Sequence, residues 1–192
     1  MVDLTEQRLF VDMDGTLAKF QTVDTLEILY EKGYFYNLTP QREVLEAVRD
    51  AAVSGDIEVY VLSSYLSDSE YALTEKNAWL DVHIPEIDEI HRLFVPCGTP
   101  KIEWLRSEGF SMGESDFLLD DYSKNLHDWE PPCRGIKIMN GINGNYGTWR
   151  GLKCNFEDVQ MVLESIRSNA DIKGIVEIQS EPHVKRTKGR AR

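Results

Sequence analysis

"FVDMDGTLAKF", residues 10–20, ends an apolar run on two aspartates, Asp12 and Asp14, set one residue apart and followed by Gly-Thr. An unpaired charge is costly to bury, so acids at the tip of a buried segment imply that their charge has a task. The run itself, RLFVD (8–12), is short and uniformly apolar, the pattern of a strand covered on both faces. Further runs of the same kind follow at IEVYVLSS (57–64), HRLFVP (91–96), DFLLDD (116–121) and GIKIMN (135–140). Between them lie amphipathic stretches. TPQREVLEAVRDAAVSG carries Thr39 as a helix cap, Pro40 at the first helical position, Val44, Leu45, Val48 and Ala52 on one face, and Gly55 beyond the end. Residues 67–80, 100–109 and 155–170 show helical spacing as well. Strands alternating with helices predict an α/β fold whose mostly parallel sheet is covered on both faces.

In such a sheet the ligand sits beyond the carboxyl ends of the strands, and those ends carry the unusual residues. The first strand ends at Asp12, the second at Ser63 and Ser64, the third runs on to Lys101, and the fourth ends at Asp120 and Asp121. Two acid pairs far apart in sequence are thereby expected at one rim. Four crowded carboxylates repel, and a divalent cation relieves them; oxygen ligands favour Mg²⁺ over zinc, with Asp12, Asp14, Asp120 and Asp121 as its candidate ligands. A cation there makes the rim a receptacle for phosphate, whose remaining charge Lys76 or Lys101 and the Ser63 hydroxyl offset, with Ser64 beside them. Asp12 is then placed to attack phosphorus and form an aspartyl-phosphate. Asp14, set by the turn that Gly15 permits, is placed to protonate the departing alkoxide and later to take a proton from water. A calcium loop of the EF-hand type is the competing reading of DxDG, but it requires further oxygen ligands after the glycine, where this chain has TLAKF.

The remaining composition narrows the setting. The chain has 192 residues and 42% hydrophobic content, room for one core with an insertion. No apolar run approaches the roughly 18 residues of a membrane span. The start, MVDLTEQRLF, lacks the basic and apolar regions of a secretory signal, and the cysteines Cys97, Cys133 and Cys154 form no CxxC pair. Reduced thiols and a cytoplasmic location are the expectation. A net charge of −12 repels nucleic acid except at the end, where HVKRTKGRAR concentrates Lys185, Arg186, Lys188, Arg190 and Arg192. Residues 180–192 read as a basic, disordered tail, with a nucleic-acid-touching arm as the alternative. The histidines His83, His91, His127 and His183 show no metal-binding spacing. Trp149 reads either as a packing residue or as a wall of the cleft.

These motifs resemble the haloacid dehalogenase superfamily of phosphatases over residues 8 to about 140: DMDGT its first motif, VYVLSS its second, Lys101 its third and LLDD its fourth. The resemblance implies a Rossmann-like three-layer α/β/α core, with Asp12 as nucleophile and Asp14 as acid and base. An acid at the position of Asp14 is typical of the superfamily's phosphatases, whereas its transport ATPases carry Thr there. The chain is more closely similar to the 5'(3')-deoxyribonucleotidases through Phe20, YFYNLTP (34–40) and EKNAW (75–79). That likeness implies Lys76 as a phosphate ligand and Phe20 facing a base. It also implies a small helical cap over residues 18–55, inserted after the first strand into a core of residues 1–17 and 56–170. The second motif departs from that family, reading SSY where the nucleotidases have Thr-Ser-Pro.

Three functions follow as alternatives. The first is a Mg²⁺-dependent phosphatase for a small phosphomonoester, a nucleoside monophosphate above all. The second keeps the chemistry and changes the substrate to a sugar phosphate or a nucleic-acid end. The third is a phosphate-binding protein without catalysis, against which the four intact acids argue.

Overall fold

The structure is a computed structural model that describes residues 7–20, 23–129, 131–142 and 149–168. The basic tail at 180–192 and His183 lie outside the described residues. Six strands form one sheet: β1 (Arg8–Val11), β2 (Glu58–Tyr65), β3 (Arg92–Pro96), β4 (Asp116–Asp120), β5 (Arg134–Ile138) and β6 (Leu152–Cys154). Their order is β3-β2-β1-β4-β5-β6, and every pairing is parallel. Among the described residues five α-helices flank them: α1 (Arg42–Ser54), α2 (Ala72–His83), α3 (Lys101–Ser107), α4 (Ser123–Asp128) and α5 (Val159–Arg167).

The two-residue period of a strand sorts side chains onto two faces, and two separate cores result. Leu9 and Val11 of β1, with Val59 and Val61, Phe117 and Leu119, and Ile136 and Ile138, meet the apolar stripes of α1 and α5 together with Trp79 and Leu80 of α2. Phe10, between them in sequence, faces the other way with Tyr60, Leu62 and Leu118 onto Ile102 and Leu105 of α3 and Leu126 of α4. The fold is therefore the three-layer α/β/α arrangement, with the sheet parallel throughout its described pairings.

Strands β1 and β4 meet where the strand order reverses, and a crevice opens there beyond their carboxyl ends. Their amino ends are fastened by Arg8, which donates from Nε and Nη2 to the Asp116 carboxylate at 2.6 and 2.9 Å. The pairing register sets Arg8 directly beside Asp116.

Helix α1 starts two residues after Pro40. Pro40 is bridged antiparallel to Ala18, and Gln41 N donates to Leu17 O at 2.8 Å, so these backbone groups close the base of the insert before the helix begins. Gly55 ends α1 in the left-handed region at φ +69°, as its position in the sequence implies. Val44, Leu45, Ala47, Val48 and Ala51 of α1 lie in the core shared with β1 and α5. The helix expected inside a cap over 18–55 thus packs on the sheet, and the excursion clipped by Ala18 and Pro40 is the shorter stretch before it. That excursion contains a 3₁₀ turn at Leu26–Tyr30 and a series of tight turns. Phe35 and Leu38 are its buried apolar anchors, while Tyr30 and Tyr36 remain exposed.

Trp149 is a packing residue: its indole donates to Leu152 O at 3.0 Å, and its ring lies against Gly135 and Gly151, where a side chain would collide with it. Cys97, Cys133 and Cys154 are free thiols. Among the described residues no helix is long and apolar enough to cross a membrane.

Phe10 anchors the second core, stacked on Tyr60 at 5.1 Å between centroids and edge-on to Trp129 at 5.4 Å. Phe10→Ala is expected to lower stability by about 3–5 kcal/mol, read as a fall in the urea midpoint at unchanged slope; a loss below about 1 kcal/mol would contradict a tightly packed lower core.

Candidate active site

At the carboxyl rim of the sheet, each acid is delivered by the end of a strand. Asp12 follows β1 directly, its N–H still bonded to Leu119 O of β4 at 2.9 Å. Asp120 closes β4, and Asp121 follows it. Carboxylate oxygens of Asp12, Asp120 and Asp121 all lie within 4.8 Å of one another, and all three residues are buried. Lys101, at the first position of α3, enters this group and donates to Asp12 Oδ1 at 2.6 Å and Asp120 Oδ2 at 2.7 Å. It is 1% exposed.

Asp120 and Asp121 are further aimed by other donors. Tyr122 N reaches Asp120 Oδ1 at 2.7 Å, the ordinary turn of an acid onto the amide two residues on. Asn125 Nδ2, in the first turn of α4, reaches Asp120 Oδ2 at 2.9 Å. Asn140, just beyond β5, donates from Nδ2 to Asp121 Oδ2 at 2.5 Å and to Gly15 O at 2.9 Å. Gly15 itself adopts φ +88°, and a Cβ there would stand 2.7 Å from Asp121 Cγ. Only glycine lets the turn after β1 approach the Asp121 carboxylate so closely.

Asp14 stands outside the triad. Expected from sequence as a fourth cation ligand, it is instead paired with Lys76 Nζ through Oδ2, while its Oδ1 is buried without a hydrogen-bond partner. Lys76 lies on the buried face of α2 and also donates to Ser63 Oγ at 2.9 Å and Ser64 O at 2.6 Å. Ser63 thus joins the site through its hydroxyl and Ser64 through its carbonyl. Both lysines picked out in the sequence reach the rim: Lys101 on the side of Asp12 and Asp120, Lys76 on the side of Asp14.

Phe20 sits at the edge of this rim, lining a cavity of about 390 Å³ with Gly15, Lys19, Gln41, Asn140, Ile142 and Phe156. Gly15 and Asn140, which touch Asp121, form the wall between that cavity and the acids.

Electrostatics explain what this cluster suits. Burial pushes the Asp12 carboxyl well above the usual aspartate range; Lys101 opposes that rise, and Asp120, Asp14 and Asp121 add to it. Burial alone would depress Lys101, but the Asp12 and Asp120 carboxylates outweigh it and hold the ammonium above its ordinary value. Four carboxylates against the ammonium groups of Lys76, Lys101 and the nearby buried Lys137 leave a net negative charge that a bound cation relieves. The all-oxygen donor set of Asp12, Asp120 and Asp121 suits a hard divalent ion.

Sequence reasoning missed four residues of this neighbourhood. Asn125 and Asn140 have just been described. Lys137, fully buried in β5, donates to Asp121 O at 2.6 Å and Ser123 Oγ at 2.8 Å, pinning the turn that carries the acid pair. Its signal was a lysine inside the apolar run GIKIM. Glu75, beside Lys76 on α2, accepts from Gly33 N, Phe35 N and Tyr36 N of the insert.

Comparison with known proteins bears on the family and the fold. The family described as "5' nucleotidase, deoxy (Pyrimidine), cytosolic type C protein" matches residues 22–165. The matched span includes Lys76, Lys101, Asp120 and Asp121 and begins past Asp12, Asp14 and Phe20. No curated protein sequence matches the chain. Among solved structures, a haloacid dehalogenase-like hydrolase from Burkholderia xenovorans LB400 is similar with a TM-score of 0.55 at 13% identity, covering 83% of this chain and 98% of that one. At that identity the likeness concerns the fold.

A divalent cation at a hundredfold excess over its dissociation constant stabilises a one-site protein by about 2.7 kcal/mol, or roughly 5–10 °C in Tm for a chain of this size. Titration with divalent cation followed by thermal unfolding should give a rise of this order for the wild type and a much smaller one for Asp121→Asn. An equal rise in both proteins would remove the triad as the cation site.

Proposed function

The chain belongs to the 5' nucleotidase, deoxy (Pyrimidine), cytosolic type C family and is thus a phosphatase of the nucleotidase kind; from that premise we propose that it hydrolyses a small phosphomonoester, a nucleoside monophosphate, through an aspartyl-phosphate on Asp12, with Mg²⁺ held by Asp12, Asp120 and Asp121. The observation that carries this reading is the pairing of two carboxylates with two lysines: Asp12 held by Lys101, and Asp14 held by Lys76 with Oδ1 left without a partner.

Mg²⁺ bound in the triad would supply positive charge to the phosphoryl oxygens and to the crowded carboxylates. The residues do the rest. Lys101 orients the Asp12 carboxylate, while Lys76, steadied by the Ser64 carbonyl, and the Ser63 hydroxyl frame the phosphate oxygens. An Asp12 oxygen attacks phosphorus as the bond to the leaving oxygen breaks, and Asp14 delivers a proton from Oδ1 to that oxygen. In the second half Asp14 takes a proton from water, the water oxygen attacks phosphorus, and the aspartyl P–O bond breaks to release inorganic phosphate. Asp14 Oδ2 stays with Lys76 throughout, which keeps Oδ1 aimed.

The leaving group is assigned to the side of the insert and the cavity beside Phe20. The two aromatic side chains that line it, Phe20 and Phe156, suit a flat base. The excursion between Ala18 and Pro40 serves as the lid that excludes water from the reacting centre. The free thiols of Cys97, Cys133 and Cys154 support a reducing location, the cytoplasm.

A panel of phosphomonoesters assayed with and without Mg²⁺ tests the reaction. Asp12→Asn should reduce phosphate release to background on every substrate; turnover equal to wild type would exclude Asp12 as nucleophile. Phe20→Ala should impair a nucleoside monophosphate far more than 4-nitrophenyl phosphate, and an equal loss on both would refute a base-facing Phe20.

A further inference from the structure

Helix α2 faces two ways. Its buried face, carrying Ala72, Lys76, Trp79 and Leu80, points the Lys76 ammonium to Asp14, Ser63 and Ser64. The neighbouring Glu75 points instead at the insert. Its Oε1 accepts from Gly33 N at 2.5 Å, and its Oε2 from Phe35 N at 3.1 Å and Tyr36 N at 3.4 Å. Three backbone donors converging on one carboxylate make a concavity of the kind that binds anions, here filled by a side chain of the protein itself. Gly33 adopts φ +91° in this turn. One helical turn along α2, the buried Trp79 donates from its indole to Leu38 O at 2.7 Å, closing a second clasp on the same segment.

The clasped segment returns the contact. Phe35, 4% exposed, is carried by the turn that Glu75 grips, and its ring centre lies 4.8 Å from Lys76 Nζ. The ammonium is thus covered on one side by an aromatic face and bonded on the others to Asp14, Ser63 and Ser64. A desolvated ammonium over a ring is held by the ring quadrupole, and a lysine stem has four rotatable bonds that need such restraint.

We propose that Glu75 is a positioning residue for the phosphate subsite: by gripping the backbone of residues 33–36 it seats Phe35 over Lys76 and so fixes the direction of the ammonium. The inference rests on the reading of Lys76 as a phosphate ligand. Glu75 touches no reacting atom; it acts through the insert. The lid and the phosphate-binding lysine are in this way referred to one helix, so a lid in place and a correctly aimed lysine are the same condition.

The test uses the full chain at saturating Mg²⁺, with inorganic phosphate as competitive inhibitor of 4-nitrophenyl phosphate hydrolysis and thermal unfolding in parallel. Lys76→Met reports on the underlying reading; an unchanged inhibition constant there would overturn the phosphate role of Lys76 itself. With that role intact, Glu75→Gln is expected to weaken phosphate about fivefold, and Phe35→Leu by a similar factor, the double variant being little worse than either because both act through one contact. Two fully multiplicative effects, or a Glu75→Gln protein with lowered Tm and an unchanged phosphate constant, would overturn the proposal and leave Glu75 as a structural clasp. Phe35→Leu decides independently of how Glu75→Gln folds: an unchanged inhibition constant in that variant alone is sufficient to reject it.

Discussion

The site depends on one shared cation, the Lys101 ammonium lodged between Asp12 and Asp120. Burying three ionised groups is expensive, and their mutual attraction repays it only with close geometry and further hydrogen bonds. The fold supplies both. Asp12 and Asp120 come from adjacent parallel strands, so their side chains emerge side by side, while α3 brings its first residue to the gap between them. Tyr122 N and Asn125 Nδ2 add two further hydrogen bonds to Asp120. Withdrawal of the lysine would leave carboxylates facing each other in a water-poor crevice, so α3, a helix of only 7 residues, matters more to the site than its length implies.

The second lysine divides the labour. Lys101 addresses the acid at the end of β1, and Lys76 addresses the acid in the turn that follows it. The two ammonium groups arrive on different helices from the two layers: α2 packs in the core with α1 and α5, whereas α3 packs on the opposite face. Asp12 and Asp14 are therefore held from opposite sides of the sheet. Asn140 adds a third tie, linking the Gly15 turn after β1 to the Asp121 carboxylate after β4. The turn that carries Asp14 and the turn that carries the acid pair are in this way stitched across the crevice.

How much of this was legible in the sequence follows from the range over which each signal acts. The five longer strands are mostly apolar runs, and the acids at the tips of β1 and β4 contradict burial so plainly that they mark the rim. Strand β6 escaped because three residues with Lys153 at their centre carry no run at all. Helix α1 was recognised but assigned to the lid, since a 3.6-residue period says that a helix buries a face and not against what; Val44 and Val48 meet the main core. Its start was misjudged because Pro40 is consumed by a bridge to Ala18, a contact made across the whole insert. Asp14 looked like a cation ligand from its spacing to Asp12, but Lys76, brought in by α2, claims its carboxylate. Glu75, Lys137 and Asn140 act on groups between 14 and 125 residues away, through contacts that no local pattern encodes.

Arg8 and Asp116 sit at the opposite end of the same two strands that carry Asp12 and Asp120. Apolar alternation cannot by itself decide how β1 lies along β4, because a slide of two residues restores every side chain to its proper face. Such a slide would strand a guanidinium at one end and part an ammonium from a carboxylate at the other. Ionic clamps at both ends of a short strand pair therefore act as vernier marks, reading out the single alignment at which the acidic tips stand level.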